Sequence, residues 1–149
     1  MKSDKWLCLE RTVKFGECDS AGVVHFHNLF SWAHESWEES INVYGISHHD
    51  IFPSEFNQSD TILPIINCEA KFFAPIQFGC VLNIVIKPVK INNHLFKIET
   101  LFFNKSVKSA KVIIIHCSIN SKTKEKTDLP HSLELWIESS NLGKNIQEC

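Results

Sequence analysis

"FGECDSAGVVHFHNLF", residues Phe15 to Phe30, sets one carboxylate between apolar neighbours. Asp19 follows a strand-like run, stands three residues before Gly22, and leads through Val23 and Val24 into a long helical pattern. The glycine lets the backbone turn tightly and lets a ligand approach closely. Upstream, Leu7, Leu9, Val13 and Phe15 alternate with Glu10, Thr12 and Lys14, which predicts a strand over Leu7 to Phe15 that Gly16 ends. Downstream, "NLFSWAHESWEESINVYG" places Phe30, Ala33, Trp37, Ile41 and Tyr44 at helical spacing over about five turns. Gly45 sits where a left-handed cap ends such a helix. Leu29 and Trp32 add bulk beside this stripe, so the helix is expected to be wrapped by other elements.

The 149 residues fit one domain, 1–149, with a core over about 7–120 and a C-terminal helix over about 130–140. A content of 44% hydrophobic residues, with 11 Phe and 4 Trp, describes a chain with a substantial apolar interior. The net charge is −2 and Arg11 is the sole arginine; the lysines are scattered, which argues against a nucleic-acid partner. Six cysteines without CxxC spacing read as thiols in a reducing cytosol. "MKSDKWLCLERTV" lacks the apolar core of a secretion signal, and no apolar run is long enough for a membrane span, so a cytoplasmic protein is expected.

Residues 46–61, with His48, His49, Asp50, Pro53 and Asn57, read as a loop with a short helical turn. Four strand-like runs follow: Ile62 to Ala74, Cys80 to Lys90, Leu95 to Asn104 and Lys108 to Asn120. Their connections, "PIQFG", "NNH" and "KSVKS", are too short for crossover helices, which predicts antiparallel pairing of each run with the next. "SKTKEKTD" breaks the pattern, and Pro130 opens a helix carrying Leu133, Trp136 and Ile137, after which the tail is expected to fray. The expected fold class is α+β, one long apolar helix against one antiparallel sheet of about five strands. Exposed sheet edges favour edge-to-edge dimerisation.

"RTVKFGECDSAGVVHFHNLFSW" resembles the signature of the 4-hydroxybenzoyl-CoA thioesterase family of hotdog-fold enzymes, F-x-[DE]-x-D-x-x-G-x-[VI] running into the central helix. "LPIINCEAKFFAPIQFGCVLNI" is similar to the family's second and third strands around a P-x-x-x-G turn, and the likeness extends from about Arg11 to Ile119. Within the family, "HESWEES" and "LPI" look most like the branch acting on 1,4-dihydroxy-2-naphthoyl-CoA in phylloquinone and menaquinone biosynthesis. The resemblance implies hydrolysis of an aryl-CoA thioester, with CoA as part of the substrate and no cofactor. It also implies homodimers with sites at the interface, often paired into homotetramers. Other readings are hydrolysis of 4-hydroxybenzoyl-CoA or a short acyl-CoA, a module that binds acyl-CoA without turnover, and a hotdog dehydratase, for which no facing His and acid pair is identifiable.

Thioester hydrolysis needs a group that attacks the carbonyl or activates water, and donors for the developing oxyanion. The resemblance assigns the first role to Asp19, as nucleophile or general base, and the principal donor to the backbone N–H of Phe26. The helix N-terminus supplies such unpaired donors on physical grounds alone. Apolar neighbours (Phe15, Val23, Val24, Phe26) disfavour the Asp19 charge while the helix dipole favours it, and an ionised carboxylate is expected. Glu17 alternates to the other face and reads as a surface residue, and Cys18, next to Asp19 on an extended chain, points away and reads as buried and inert.

His25, His27 and His34 offer no recognised zinc spacing, so no metal is expected. His25 and His34 are instead candidates to line the acyl pocket or a subunit interface, where an imidazole can bond an aryl hydroxyl. Lys87, Lys90, Lys105, Lys108 and Lys111 stand at strand ends and turns, where ammonium groups can meet the CoA phosphates or simply solubilise the surface.

Overall fold

A computed structural model of the chain describes residues 5–53, 55 and 59–142. Elements run in the order β1 (Cys8–Thr12), α1 (Phe26–Tyr44), β2 (Thr61–Ile62), β3 (Ile65–Phe72), β4 (Val81–Lys90), β5 (Leu95–Asn104), β6 (Val107–Cys117), β7 (Ile119–Asn120) and α2 (His131–Leu142). Short 3-10 turns cover Phe15–Glu17 and His48–Asp50. The principal sheet is antiparallel with order β1-β4-β5-β6-β3, and β2 pairs β7 in a small second ladder.

The helix lies as the sequence predicts, buried through Leu29, Trp32, Ala33, Ser36, Trp37, Ser40 and Ile41. It ends in a Schellman cap: Gly45 takes φ 105°, its N–H reaches back into the last turn, and the Ile46 N–H donates to the Ile41 carbonyl. The sheet covers it with alternating side chains, Leu82, Ile84 and Ile86 from β4, Phe96, Ile98 and Phe102 from β5, and Ala110, Val112 and Ile114 from β6. Pro88 is tolerated inside β4 because β1 ends its pairing at Val85, leaving that side of Pro88 without a ladder partner. α2 closes the remaining flank with Leu133, Trp136 and Ile137, and Trp136 Nε1 donates to Ser40 Oγ on α1.

Several expectations need correction. The run from Cys80 pairs with the next run, and that with the one after, but β3 does not pair with β4; it lies at the far edge beside β6. Residues 73–80 span up to about 26 Å when extended, whereas three strand spacings separate β3 from β4, about 14 Å. "PIQFG" with its flanks therefore crosses the sheet without a helix. The first strand stops at Thr12, and Phe15 belongs to a 3-10 turn with 77% of its surface exposed, so it contributes no inward face.

Two long runs are also broken. Pro64 interrupts Ile62 to Ala74, its carbonyl taking the Cys117 N–H. Ser118 interrupts Lys108 to Asn120 because its N–H turns to His94 and its hydroxyl to the Asp128 carbonyl. Cys18, Cys68, Cys80 and Cys117 are free, but Cys8 is disulfide-bonded, contrary to an all-thiol reading. Asn57 and the tail after residue 142 lie outside the described residues. No helix among the described residues is long and apolar enough to cross a membrane.

Candidate active site

The acid-bearing turn is built by three sets of backbone bonds. The Asp19 N–H donates to the Val23 carbonyl at 2.8 Å and the Gly22 N–H to the Asp19 carbonyl at 3.0 Å, closing a tight loop. Gly22 adopts φ 78°, a left-handed conformation that L side chains rarely take. No atom of the chain lies within 4 Å of where its Cβ would stand, so the backbone angle, and not crowding within the chain, selects glycine. Val23 and Val24 then bridge to the β3–β4 connection, with the Val24 N–H on the Ile76 carbonyl at 2.8 Å.

Asp19 Oδ1 accepts the Ala21 N–H at 2.8 Å and, more weakly, the Val23 N–H at 3.4 Å. These bonds orient the carboxylate and leave Oδ2 without a hydrogen-bond partner among the described residues. The Phe26 N–H, first in α1, likewise finds no acceptor among them, because no helical carbonyl precedes it. One cavity of about 310 Å³ is lined by Asp19, His25, Phe26, Phe72, Pro75 and Ile76, among others. The structure thus brings Asp19, His25 and Phe26 together, with Gly22 shaping the turn from behind. His25 stacks on Phe26 (4.8 Å between centroids) and shares a short Nδ1 contact with His27.

His34 stands elsewhere, over two helical turns into α1, paired with Glu38 at 2.6 Å and lining a different cavity with Trp37 and His116. Phe15 and Phe26 are largely exposed in the single chain, so they do not enclose Asp19 as the sequence reading expects. Cys18 is half-buried against the core and does not line the Asp19 cavity.

Glu17 is the residue that sequence reasoning misplaced. Its side chain is 16% exposed, ion-paired with Arg11, accepts the Lys14 N–H at 2.8 Å and accepts Trp32 Nε1 at 3.3 Å. Its backbone carbonyl accepts the His25 N–H at 3.0 Å and the Asn28 side chain at 2.8 Å. Burial pushes the Glu17 carboxyl up, but the Lys14 N–H, the Arg11 guanidinium and the Trp32 indole outweigh it and hold the carboxyl below its usual value. Arg11 also lies over the Trp32 ring at 4.7 Å and reaches Glu35 at 3.2 Å. The cluster bolts β1, the turn before Asp19 and the first half of α1 together. The signal in the sequence was the lone arginine, six residues from an acid at the mouth of the motif.

Of the candidate lysines, Lys90 is engaged with Glu134 at 2.7 Å and Lys108 lies over the Phe73 ring at 4.8 Å. Lys87 and Lys105 share a surface cavity of about 270 Å³ on the face of the sheet away from α1. No group of three His, Cys, Asp or Glu side chains suited to a metal occurs among the described residues.

A long helix wrapped by a five-stranded antiparallel sheet, with an acid-bearing turn against the helix N-terminus, defines the hotdog class. Residues 13–137 match the model of the thioesterase-like superfamily, and the chain belongs to that family. It is 55% identical over 150 residues, covering all of both chains, to a 1,4-dihydroxy-2-naphthoyl-CoA hydrolase of Prochlorococcus marinus subsp. pastoris. A Synechococcus protein of the same name is 41% identical over 95% of each chain. Among solved structures, a thioesterase-like protein of Prochlorococcus marinus strain MIT 9313 superposes with a TM-score of 0.88 at 40% identity, over 93% of this chain and 99% of that one. A 1,4-dihydroxy-2-naphthoyl-CoA thioesterase from Synechocystis shares the fold with a TM-score of 0.80 at 24% identity, over 88% of this chain and 94% of that one.

Proposed function

We propose that this chain hydrolyses 1,4-dihydroxy-2-naphthoyl-CoA to the free acid and CoA. The observation that carries the reading is the juxtaposition of a carboxylate with one free oxygen and an unpaired helix N-terminal N–H in one cavity. The full-length likeness to hydrolases of that name supplies the substrate. In this mechanism the thioester carbonyl oxygen accepts the Phe26 N–H, which holds the charge developing as the carbonyl becomes tetrahedral. Asp19 Oδ2 either attacks the carbonyl carbon or removes a proton from the attacking water; both routes consume one water and release the thiol. The helix dipole lies on the same side as the oxyanion and reinforces it.

The active unit in this reading is a homodimer formed through β3, and dimers pair further into homotetramers. All eight residues of β3 are exposed in the single chain, and Ile65 and Ile66 are half exposed along this free edge. Such an edge recruits another strand unless it is blocked.

The test is a thiol-release assay with 1,4-dihydroxy-2-naphthoyl-CoA, 4-hydroxybenzoyl-CoA and a short aliphatic acyl-CoA, on wild type and Asp19→Asn. The expected result is preferential turnover of the naphthoyl ester and a loss of at least about a hundredfold in the variant. Undiminished turnover by Asp19→Asn removes Asp19 from the mechanism, and measurable binding with no release of CoA from any ester removes the enzyme reading.

A further inference from the structure

With Asp19 as the nucleophile, hydrolysis falls into two halves. In the first, Oδ2 bonds to the carbonyl carbon and the C–S bond breaks, so the carboxylate becomes an anhydride and the departing thiolate takes a proton from solvent. In the second, water has to lose a proton as it attacks, and Asp19 can no longer take it. Oδ2 then carries the acyl group, and Oδ1, bonded to the Ala21 N–H, has become a weakly basic carbonyl oxygen. A second base is required. Among the residues lining this cavity, Asp19 and His25 alone carry titratable side chains; the rest are apolar. Glu17 does not line it and is committed to Arg11, the Lys14 N–H and Trp32.

His25 is held in the way a base needs to be held. Its backbone is extended at the residue before α1, and its half-buried ring stacks on Phe26 at 4.8 Å and 30°. Its Nδ1 meets Nδ1 of His27, one residue into the helix. Two ring nitrogens in contact share one proton, since two N–H groups or two lone pairs repel. With that proton on His25, His27 accepts it, and His25 Nε2 is left as a lone pair. Nε2 has no partner among the described residues. No bond joins His25 to Asp19, which accepts from the Ala21 and Val23 N–H groups, and an ionised carboxylate needs no base to attack. The two free atoms, Asp19 Oδ2 and His25 Nε2, therefore fit successive steps.

Presupposing the thioesterase reading, we infer that His25 is a second catalytic residue, the general base of the deacylation half, and that His27 is its positioning residue. Water attacks the acyl carbonyl carbon and gives its proton to His25 Nε2. The bond to Asp19 Oδ2 breaks, which frees the acid and restores the carboxylate. His25 then returns its proton to solvent, matching the one that the thiolate took.

Rapid-quench measurements with 1,4-dihydroxy-2-naphthoyl-CoA on the full-length chain compare wild type with His25→Ala, which leaves room for added imidazole. The variant is expected to give a stoichiometric burst of CoA, then steady turnover at least about a hundredfold below wild type, accelerated by imidazole. His27→Phe is expected to lower kcat without raising KM, and His27→Asn, whose amide oxygen accepts in place of Nδ1, to restore it in part. On wild type, nitrogen-15 spectra assigned through the backbone are expected to show the His25 proton on Nδ1 and Nε2 bare, a measurement that needs no variant to fold. Wild-type turnover combined with no burst in His25→Ala, an undiminished steady rate or a slow phase indifferent to imidazole overturns the role of His25 and leaves the thioesterase reading standing. A proton on Nε2 with Nδ1 bare does the same. No release of CoA by wild type removes both.

Discussion

Glu17 stands two residues before Asp19, and its contacts determine where that acid can be. Five groups from three segments converge on one carboxylate and its own carbonyl, so the turn is clamped at its entry and not only at its tip. Glu17→Gln keeps the shape and some of the accepting capacity but removes the charge facing Arg11. A loss of about 1–3 kcal/mol in stability is expected from a part-buried, hydrogen-bonded ion pair, read as a lower urea midpoint. If Glu17 positions Asp19, kcat falls by more than KM rises, and Glu17→Asp restores part of the loss; a purely structural residue would change stability alone. Gly22→Val makes a second residue-scale prediction. The φ of 78° penalises any β-branched side chain by roughly 1–3 kcal/mol, and the turn can relax only by moving Asp19. Thiol release should therefore drop at least tenfold while circular dichroism still reports a folded chain. Neither the clamp nor Glu17's burial was legible in alternation, because the strand ends at Thr12 and a 3-10 turn resets which side each residue faces.

At the scale of elements, the sequence was most informative where one periodicity held without interruption. α1 declared itself through Trp37, Ile41 and Gly45, and α2 through Leu133, Trp136 and Ile137, since helix faces and caps are local properties. The three-strand meander β4-β5-β6 was legible for the same reason, its tight connections leaving no other partner. The place of β3 was not, because nothing local tells an eight-residue connection from a hairpin that has grown long. That misplacement matters for function: at the edge, β3 is free to pair with a second copy, and its end, Phe72, borders the Asp19 cavity. Ile66→Glu puts a charge on this edge without entering the core, Ile66 being 57% exposed. Light scattering should show the assembly shifting toward monomer, with thiol release falling in parallel. A variant that stays dimeric and active would place the interface elsewhere.

At the scale of the whole molecule, the sheet's inner face is apolar except at Thr100, between Ile98 and Phe102, and at His116, which replaces an aliphatic residue in the row Ala110, Val112, Ile114. This imidazole ties folding to pH. Burial lowers it from 6.5 to about 4, with His34 acting in the same direction and the bond to Leu63 opposing. Between those values the unfolded chain binds a proton that the folded chain refuses, so stability rises with pH and is lost as pH falls from about 6.5 toward 4. The ceiling on the effect is roughly 3 kcal/mol. Urea midpoints measured from pH 7.5 to 5.0 should fall for wild type by more than for His116→Phe, the difference reaching about 2 kcal/mol at pH 5. Carboxylates titrate alike in both chains and cancel in that difference. Two profiles that run parallel would mean that the folded chain binds a proton at His116 as readily as the unfolded chain does, so that burial does not hold this imidazole neutral.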